Sequence, residues 1–175
     1  VYTNLYLTTG TELAHQFYRH YLYSRDEKFL RERAYPLLKE VVTYHLAFTS
    51  KEADGKVHVY PSNARETYWF VRNSITDLTA LRSTLPILIE TSKQLQIDAE
   101  SRTKWEEVLS QLAPFPATDE QFEPALFLDK YPPTRFSKTE ALYVPDKRST
   151  TQRNAFNVEN VELEPVYPWG LIGLH

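Results

Sequence analysis

Between Ser74 and Gln96 the sequence repeats apolar residues at helical spacing: Ile75, Leu78, Leu81, Leu85, Leu88, Ile89 and Leu95 fall on one broad side of a long helix. An apolar face that wide has to be covered by other helices, because two stacked helices cannot bury both faces alone. Ser74 is placed to cap the start of this helix, and Pro86 inside it predicts a kink.

Partners for it are written on both sides. Residues 10–24, GTELAHQFYRHYLYS, read as a helix capped by Thr11, with Leu13, Phe17, Tyr18, Tyr21 and Leu22 at helical spacing. A short helix is expected at 26–33, with Ser24 or Asp26 as cap. Pro36 interrupts it, and a longer helix begins near Tyr35 with that proline in its first turn. Leu38, Val41, Val42, His45, Leu46 and Phe48 form its buried stripe. Residues 98–116 give another helix, capped by Asp98, with Trp105, Val108, Leu109 and Leu112 turned inward and a proline stop. Between the helices, the Asp54-Gly55 turn leads to a short β-branched strand at 57–60.

The fold class predicted is therefore mainly α, with hairpins of helices over about 10–116 and long loops on one side. After Pro116 the character changes. Pro114, Pro116, Pro124, Pro132, Pro133 and Pro145 are six of the 11 prolines, so 117–175 reads as loop-rich, with short strands such as ALYVP and a last helical segment near Asn160. The chain starts at Val1 and stops in the apolar tail WGLIGLH, which reads as a piece of a larger protein.

Composition narrows the function. A net charge of −3 with mixed signs gives no basic footprint for nucleic acid. No apolar run reaches a membrane span and no signal peptide is seen. Without cysteine there are no disulfides, thiolate metal sites or cysteine nucleophiles, and the compartment is left undecided. No phosphate-cradling glycine loop, HExxH or GxSxG occurs, and His15 and His20 lie on different helix faces. No cofactor or metal is called for.

Three stretches could carry chemistry. In YPSNARETYW, residues 60–69, Glu66 lies between Arg65 and the aromatics Tyr68, Trp69 and Phe70. Rings that exclude water raise a carboxyl pKa and suit it to general-acid work, whereas a nearby guanidinium lowers it; a surface ion pair with Arg65 or Arg72 is the plain alternative. Next, VRNSITD supplies Arg72, Asn73 and Asp77, with Arg72 and Asn73 open to sugar hydroxyls and Asn73 or Ser74 open to helix capping. Finally, RNAFNVENVELEPVYPWG, residues 153–170, is dense in amides and carboxylates, including Asn154, Asn157, Glu159, Asn160, Glu162 and Glu164, and ends in Tyr167 and Trp169. It could bind a polar ligand or satisfy its own backbone.

The segment HYLYSRDEKFLRERAYPLLKEVVTYHL resembles six-hairpin glycosidases, notably glycoside hydrolase family ninety-five, where a stretch close to HYLYTGDKEFLRERAYPLLKEAAEFFL precedes a turn, a strand and a PSxSPEN-like loop. The loop here is PSNARETYW, and KWEEVLSQLAPF is similar to the helix that follows in that family. The resemblance covers roughly 10–116. It implies an (α/α)6 toroid, of which 1–175 would be a partial catalytic domain needing the rest of the barrel. It also implies an inverting α-L-fucosidase-like or related exo-glycosidase acting on an oligosaccharide or glycoside, and an extracellular or periplasmic setting.

By the same resemblance Glu66 is the general acid. Read from the residues themselves, Asn63, Arg65, Tyr68, Trp69, Arg72, Asn73 and Asn160 are the substrate-binding candidates. Ala64-Arg65 stands where the family has Ser-Pro, and Thr67 where it has Asn, which leaves the sugar open. The family's catalytic aspartate has no clear counterpart, so the isolated chain is expected to be inactive. Two other readings fit the same residues: a non-catalytic helical module binding carbohydrate or protein, and a polysaccharide lyase on the same toroid.

Overall fold

The computed structural model describes residues 5–65, 68–115, 152–153 and 161–173, with the backbone alone at 68–71, 152–153 and 162. Its helices are α1 (Thr8–Ser24), α2 (Glu27–Phe29), α3 (Tyr35–Leu46), α4 (Ile75–Leu95) and α5 (Ala99–Gln111). The long helix α4 is the centre of the packing, touching α1, α3 and α5. Leu78, Leu81, Leu85 and Leu88 are wholly buried, and each contributes about 2 kcal/mol of apolar burial. Its other side is buried as well, lined by Thr76, Asp77, Thr79, Ser83, Thr84, Thr91 and Ser92. Short hydroxyl side chains let neighbouring elements close on a face that the apolar pattern alone leaves polar. Pro86 sits within α4, which runs on through it to Leu95.

Two helix starts differ from expectation. Helix α1 begins at Thr8, not near Thr11, with no side-chain cap. The Thr11 hydroxyl instead donates to the Thr8 carbonyl at 2.7 Å from inside the helix. Its buried face runs through Thr11, Ala14, His15 and Tyr21, with Phe17 and Tyr18 partly covered, while Leu13 and Leu22 are exposed. Gly10 belongs to this face: a Cβ there would lie 3.0 Å from Val41 Cγ1, so its lack of a side chain lets α1 approach α3. At α5, Asp98 does not cap the helix. It takes a left-handed conformation, and its carboxylate accepts from Tyr35 Oη at 2.6 Å and Lys39 Nζ at 2.8 Å, tying α3 to the α4–α5 turn. Those donors, Lys39 first, hold Asp98 below the usual carboxylate range.

Asp26 does cap α2, accepting from the Phe29 amide at 2.9 Å. Pro36 does not separate α2 from α3. Leu30–Ala34 forms a wide π-type turn whose flanking residues keep helical dihedrals, with the Tyr35 amide bonded to the Leu30 carbonyl. Widening that turn makes room for a proline ring that would clash with an ordinary helical carbonyl one turn back.

Strands β1 (Thr49–Lys51) and β2 (Val57–Val59) form an antiparallel hairpin closed by the Asp54-Gly55 turn, in which Asp54 accepts from the Lys56 amide at 2.9 Å. A second sheet has the order β3 (Ser62–Ala64), β4 (Tyr68–Val71), β5 (Gln152–Arg153), all antiparallel. A 3-10 turn at Val161–Leu163 leads into a compact turn that packs against α4. The ALYVP segment and Asn154, Asn157 and Glu159 lie outside the described residues. The architecture is mainly helical, with one long connection between α3 and α4 that carries short strands, as a part of an (α/α)6 toroid would be.

Candidate active site

Strand β3 carries the residues that lead to position 66, and it is pinned at both ends. Ser62, Asn63 and Ala64 are buried. The Ser62 hydroxyl donates to Asp77 Oδ2 on α4, and so does the hydroxyl of Ser74. Ser74 also caps α4 by accepting from the Asp77 amide at 3.1 Å, and Thr76 Oγ1 lies 2.7 Å from its oxygen. Asp77 sits in the first turn of α4, where the helix dipole favours a negative charge. Its other oxygen faces His45 Nε2 at 3.2 Å, and both side chains are wholly buried. That contact has ion-pair distance but not hydrogen-bond alignment. Asp77 therefore joins the strand, the start of α4 and the interior of α3.

At the other end, Arg65 adopts a left-handed backbone, with φ 56°. Its guanidinium donates through Nε to Glu164 Oε1 at 2.7 Å and through Nη2 to Glu12 Oε1 at 2.5 Å. Glu164 Oε2 accepts from the indole Nε1 of Trp169 at 2.7 Å. Burial pushes the Glu164 carboxyl above its ordinary range, Arg65 and the indole pull it back, and Glu12 adds to the rise. Burial acts against the charge on Arg65 too, but two carboxylates outweigh it and hold its pKa above the usual value. The asymmetry has a simple origin: the cation has two counter-charges, whereas the buried anion has one and a like-charged neighbour.

Arg65 was expected to be a sugar-binding residue, and its guanidinium is committed to these carboxylates. Asn73 has a structural engagement of its own. Its backbone N–H donates to the Val59 carbonyl at 2.9 Å, its side-chain Oδ1 accepts from the Val59 amide at 3.0 Å, and its Nδ2 lies 2.7 Å from His58 Nδ1. His58 Nε2 lies 3.0 Å from Asp54 Oδ2. With the amide donating to Nδ1, the imidazole carries its proton on Nε2 and donates to Asp54. Arg72 donates to Glu52 Oε2 at 2.6 Å, joining the β4–α4 connection to the hairpin. Asn63 is buried on β3. Tyr68 and Trp69 lie on β4, and their side chains are outside the described residues, as are Glu66 and Asn160 entirely.

Sequence reasoning singled out Asp77, Glu164 and Trp169 only as members of polar tracts, and it missed Glu12, Ser62 and His45 as parts of this cluster. Glu12 has no local signal, because an acidic residue on a helix reads as solvated surface. Among the described residues no group of three or more His, Asp or Glu is arranged to hold a metal ion, and no helix is long and apolar enough to cross a membrane.

Residues 1–121 match the sequence profile described as Glycosyl hydrolase family 95 catalytic domain. A comparison with curated proteins gives no match. The matched part takes in α1 to α5, the Asp77 pin of β3, the Arg65–Glu12 pair and position 66, while Glu164 and Trp169 lie beyond it. Since the profile spans well over half of the 175 residues, the chain belongs to glycosyl hydrolase family 95, through the catalytic domain of that family.

Proposed function

We propose that the chain contributes the proton donor of an inverting glycoside hydrolase, with Glu66 protonating the leaving glycosidic oxygen. The family match across residues 1–121 carries this reading, because it includes the loop that holds Glu66. The chemistry agrees with the sequence around it. A general acid has to keep its proton near working pH, and Tyr68 and Trp69 follow it closely in the chain. The objection is the guanidinium next door, which would hold a carboxyl ionised. Arg65 answers it by pairing with Glu12 and Glu164, so its charge is already countered twice.

In an inverting reaction a second carboxylate, roughly 6.5–9.5 Å from the acid, activates the attacking water on the opposite face of the sugar. An α-L-fucosidase-like or related exo-glycosidase activity follows, with Asn63, Tyr68, Trp69, Arg72, Asn73 and Asn160 as sugar-binding candidates.

The test is Glu66→Gln in the intact enzyme, with hydrolysis of aryl glycosides and sugar binding measured side by side. The expected result is a loss of turnover by a factor of about 100 or more with binding kept. Unchanged turnover removes Glu66 as the acid. Absence of turnover in any form of the protein favours a binding module, and an unsaturated, ultraviolet-absorbing product shows a lyase.

A further inference from the structure

We propose that Glu164 is a positioning residue: it holds Arg65, and through Arg65 it fixes the backbone that enters position 66. The inference rests on the reading of Glu66 as the proton donor, and it assigns a role to a segment beyond the part of the chain that matches the family.

Left-handed backbone is uncommon for a residue with a β-carbon and is kept only where the surroundings hold it. Arg65 is in that conformation, one residue before Glu66. Arg65 also leads out of β3, whose Ala64 pairs with Tyr68 of β4, and its guanidinium has Nε on Glu164 and Nη2 shared between Glu164 and Glu12. Glu12 is on α1, a long helix of the core. Glu164 is on a turn that is itself fastened down. Within that turn, the Glu164 amide bonds the Val161 carbonyl at 3.2 Å and the Leu171 amide bonds the Pro165 carbonyl at 2.8 Å.

Docking of the turn is equally specific. The Trp169 ring meets His15 edge-on at 4.9 Å, Ser83 Oγ donates to the Trp169 carbonyl at 3.3 Å, and Arg19 donates to the Pro168 carbonyl at 2.8 Å. The indole then orients Glu164 from the side away from Arg65, one carboxylate oxygen serving each donor. A buried ion pair is a poor source of net stability, since removing two charges from water costs about as much as their attraction returns. What the charged pair supplies is direction: a planar guanidinium held by a carboxylate that is held in turn by an indole leaves the Arg65 backbone little freedom.

The experiment compares the intact enzyme with its Glu164→Gln and Trp169→Phe variants by site-resolved amide hydrogen exchange. Glutamine keeps the shape and removes the charge, and phenylalanine keeps an aromatic ring and every charge while removing the indole donor and part of the ring, so the second variant decides if the first fails to fold. The expected result is exchange at residues 62–65 faster by about tenfold or more, with amides in the middle of α3 and α4 unchanged. Unchanged exchange at 62–65, or an equal rise in α3 and α4, overturns the proposal. Positioning is also read by carbon-detected titration of the Glu66 carboxyl. Its midpoint is expected to move in Trp169→Phe, which leaves every charge in place, and an identical midpoint in that variant overturns the positioning role even if exchange rises. Turnover of Glu66→Gln tests the proton-donor reading separately, since it does not depend on Glu164.

Discussion

Arg65 Nε donates to Glu164 Oε1 at 2.7 Å across ninety-nine residues of sequence. The contact closes the strand that enters position 66 against a turn from the far end of the chain. It also determines which substitutions should act locally and which should unfold the protein.

Removing the cation is the more damaging change. Arg65→Ala strands the buried Glu164 carboxylate, and losing one partner of a buried pair costs about 3–5 kcal/mol. The Arg65 side chain is 27% exposed, so water offsets part of this and about 2–3 kcal/mol of destabilisation is expected. Urea unfolding checks it. Arg65→Lys should restore only a fraction, because an ammonium lacks the planar fork that meets both carboxylates. Full recovery with lysine would show that charge alone matters.

Asp77 should couple to Ser62 and Ser74 beyond the sum of single substitutions. Asp77→Ala takes the carboxylate acceptor from two buried hydroxyls, removes the carboxylate that faces the buried His45 ring, and removes a charge from the first turn of α4. A loss of about 3 kcal/mol is expected. A double-mutant cycle of Asp77→Asn with Ser62→Ala should show a coupling of about 1–2 kcal/mol. Simple additivity would mean that the carboxylate does not hold β3.

His15 predicts a pH dependence. Burial first, and then the nearby Arg19 charge, lower its pKa from 6.5 to about 4. The unfolded chain therefore binds a proton in a range where the folded one does not. Stability from this group is complete above pH 6.5, falls as pH drops, and is gone below about 4. The whole span corresponds to roughly 3 kcal/mol. Denaturation midpoints measured between these limits should fall less steeply in His15→Gln, which can still meet the Thr84 hydroxyl now 3.0 Å from His15 Nε2. Equal slopes would place the His15 pKa near its ordinary value.

Asn73→Ala should loosen the hairpin and leave the helices intact. The side chain accepts from the Val59 amide and bonds His58, so its loss frees one backbone donor and one ring nitrogen. About 1–2 kcal/mol is expected, with faster amide exchange confined to 57–59. Uniform loosening would show that the hairpin and the helices unfold as one unit.

What could be read in the sequence was what repeats over one or two turns of chain. The helices were legible because apolar spacing and capping residues act on their neighbours, as the capping of α4 by Ser74 and of α2 by Asp26 shows. The family was legible for the same reason, since its matching segment is a contiguous stretch. Thr11 and Asp98 misled because a residue able to cap is equally able to bond inside a helix or to a distant lysine. Leu13 misled because periodicity ranks faces without saying which one a neighbour covers. The long-range pairings belonged to the tertiary structure: Glu12 and Glu164 on Arg65, and His45 and Ser62 on Asp77. An ionic or hydrogen-bonding side chain is satisfied by whatever docks beside it, and its own neighbours in sequence carry no record of which segment that will be.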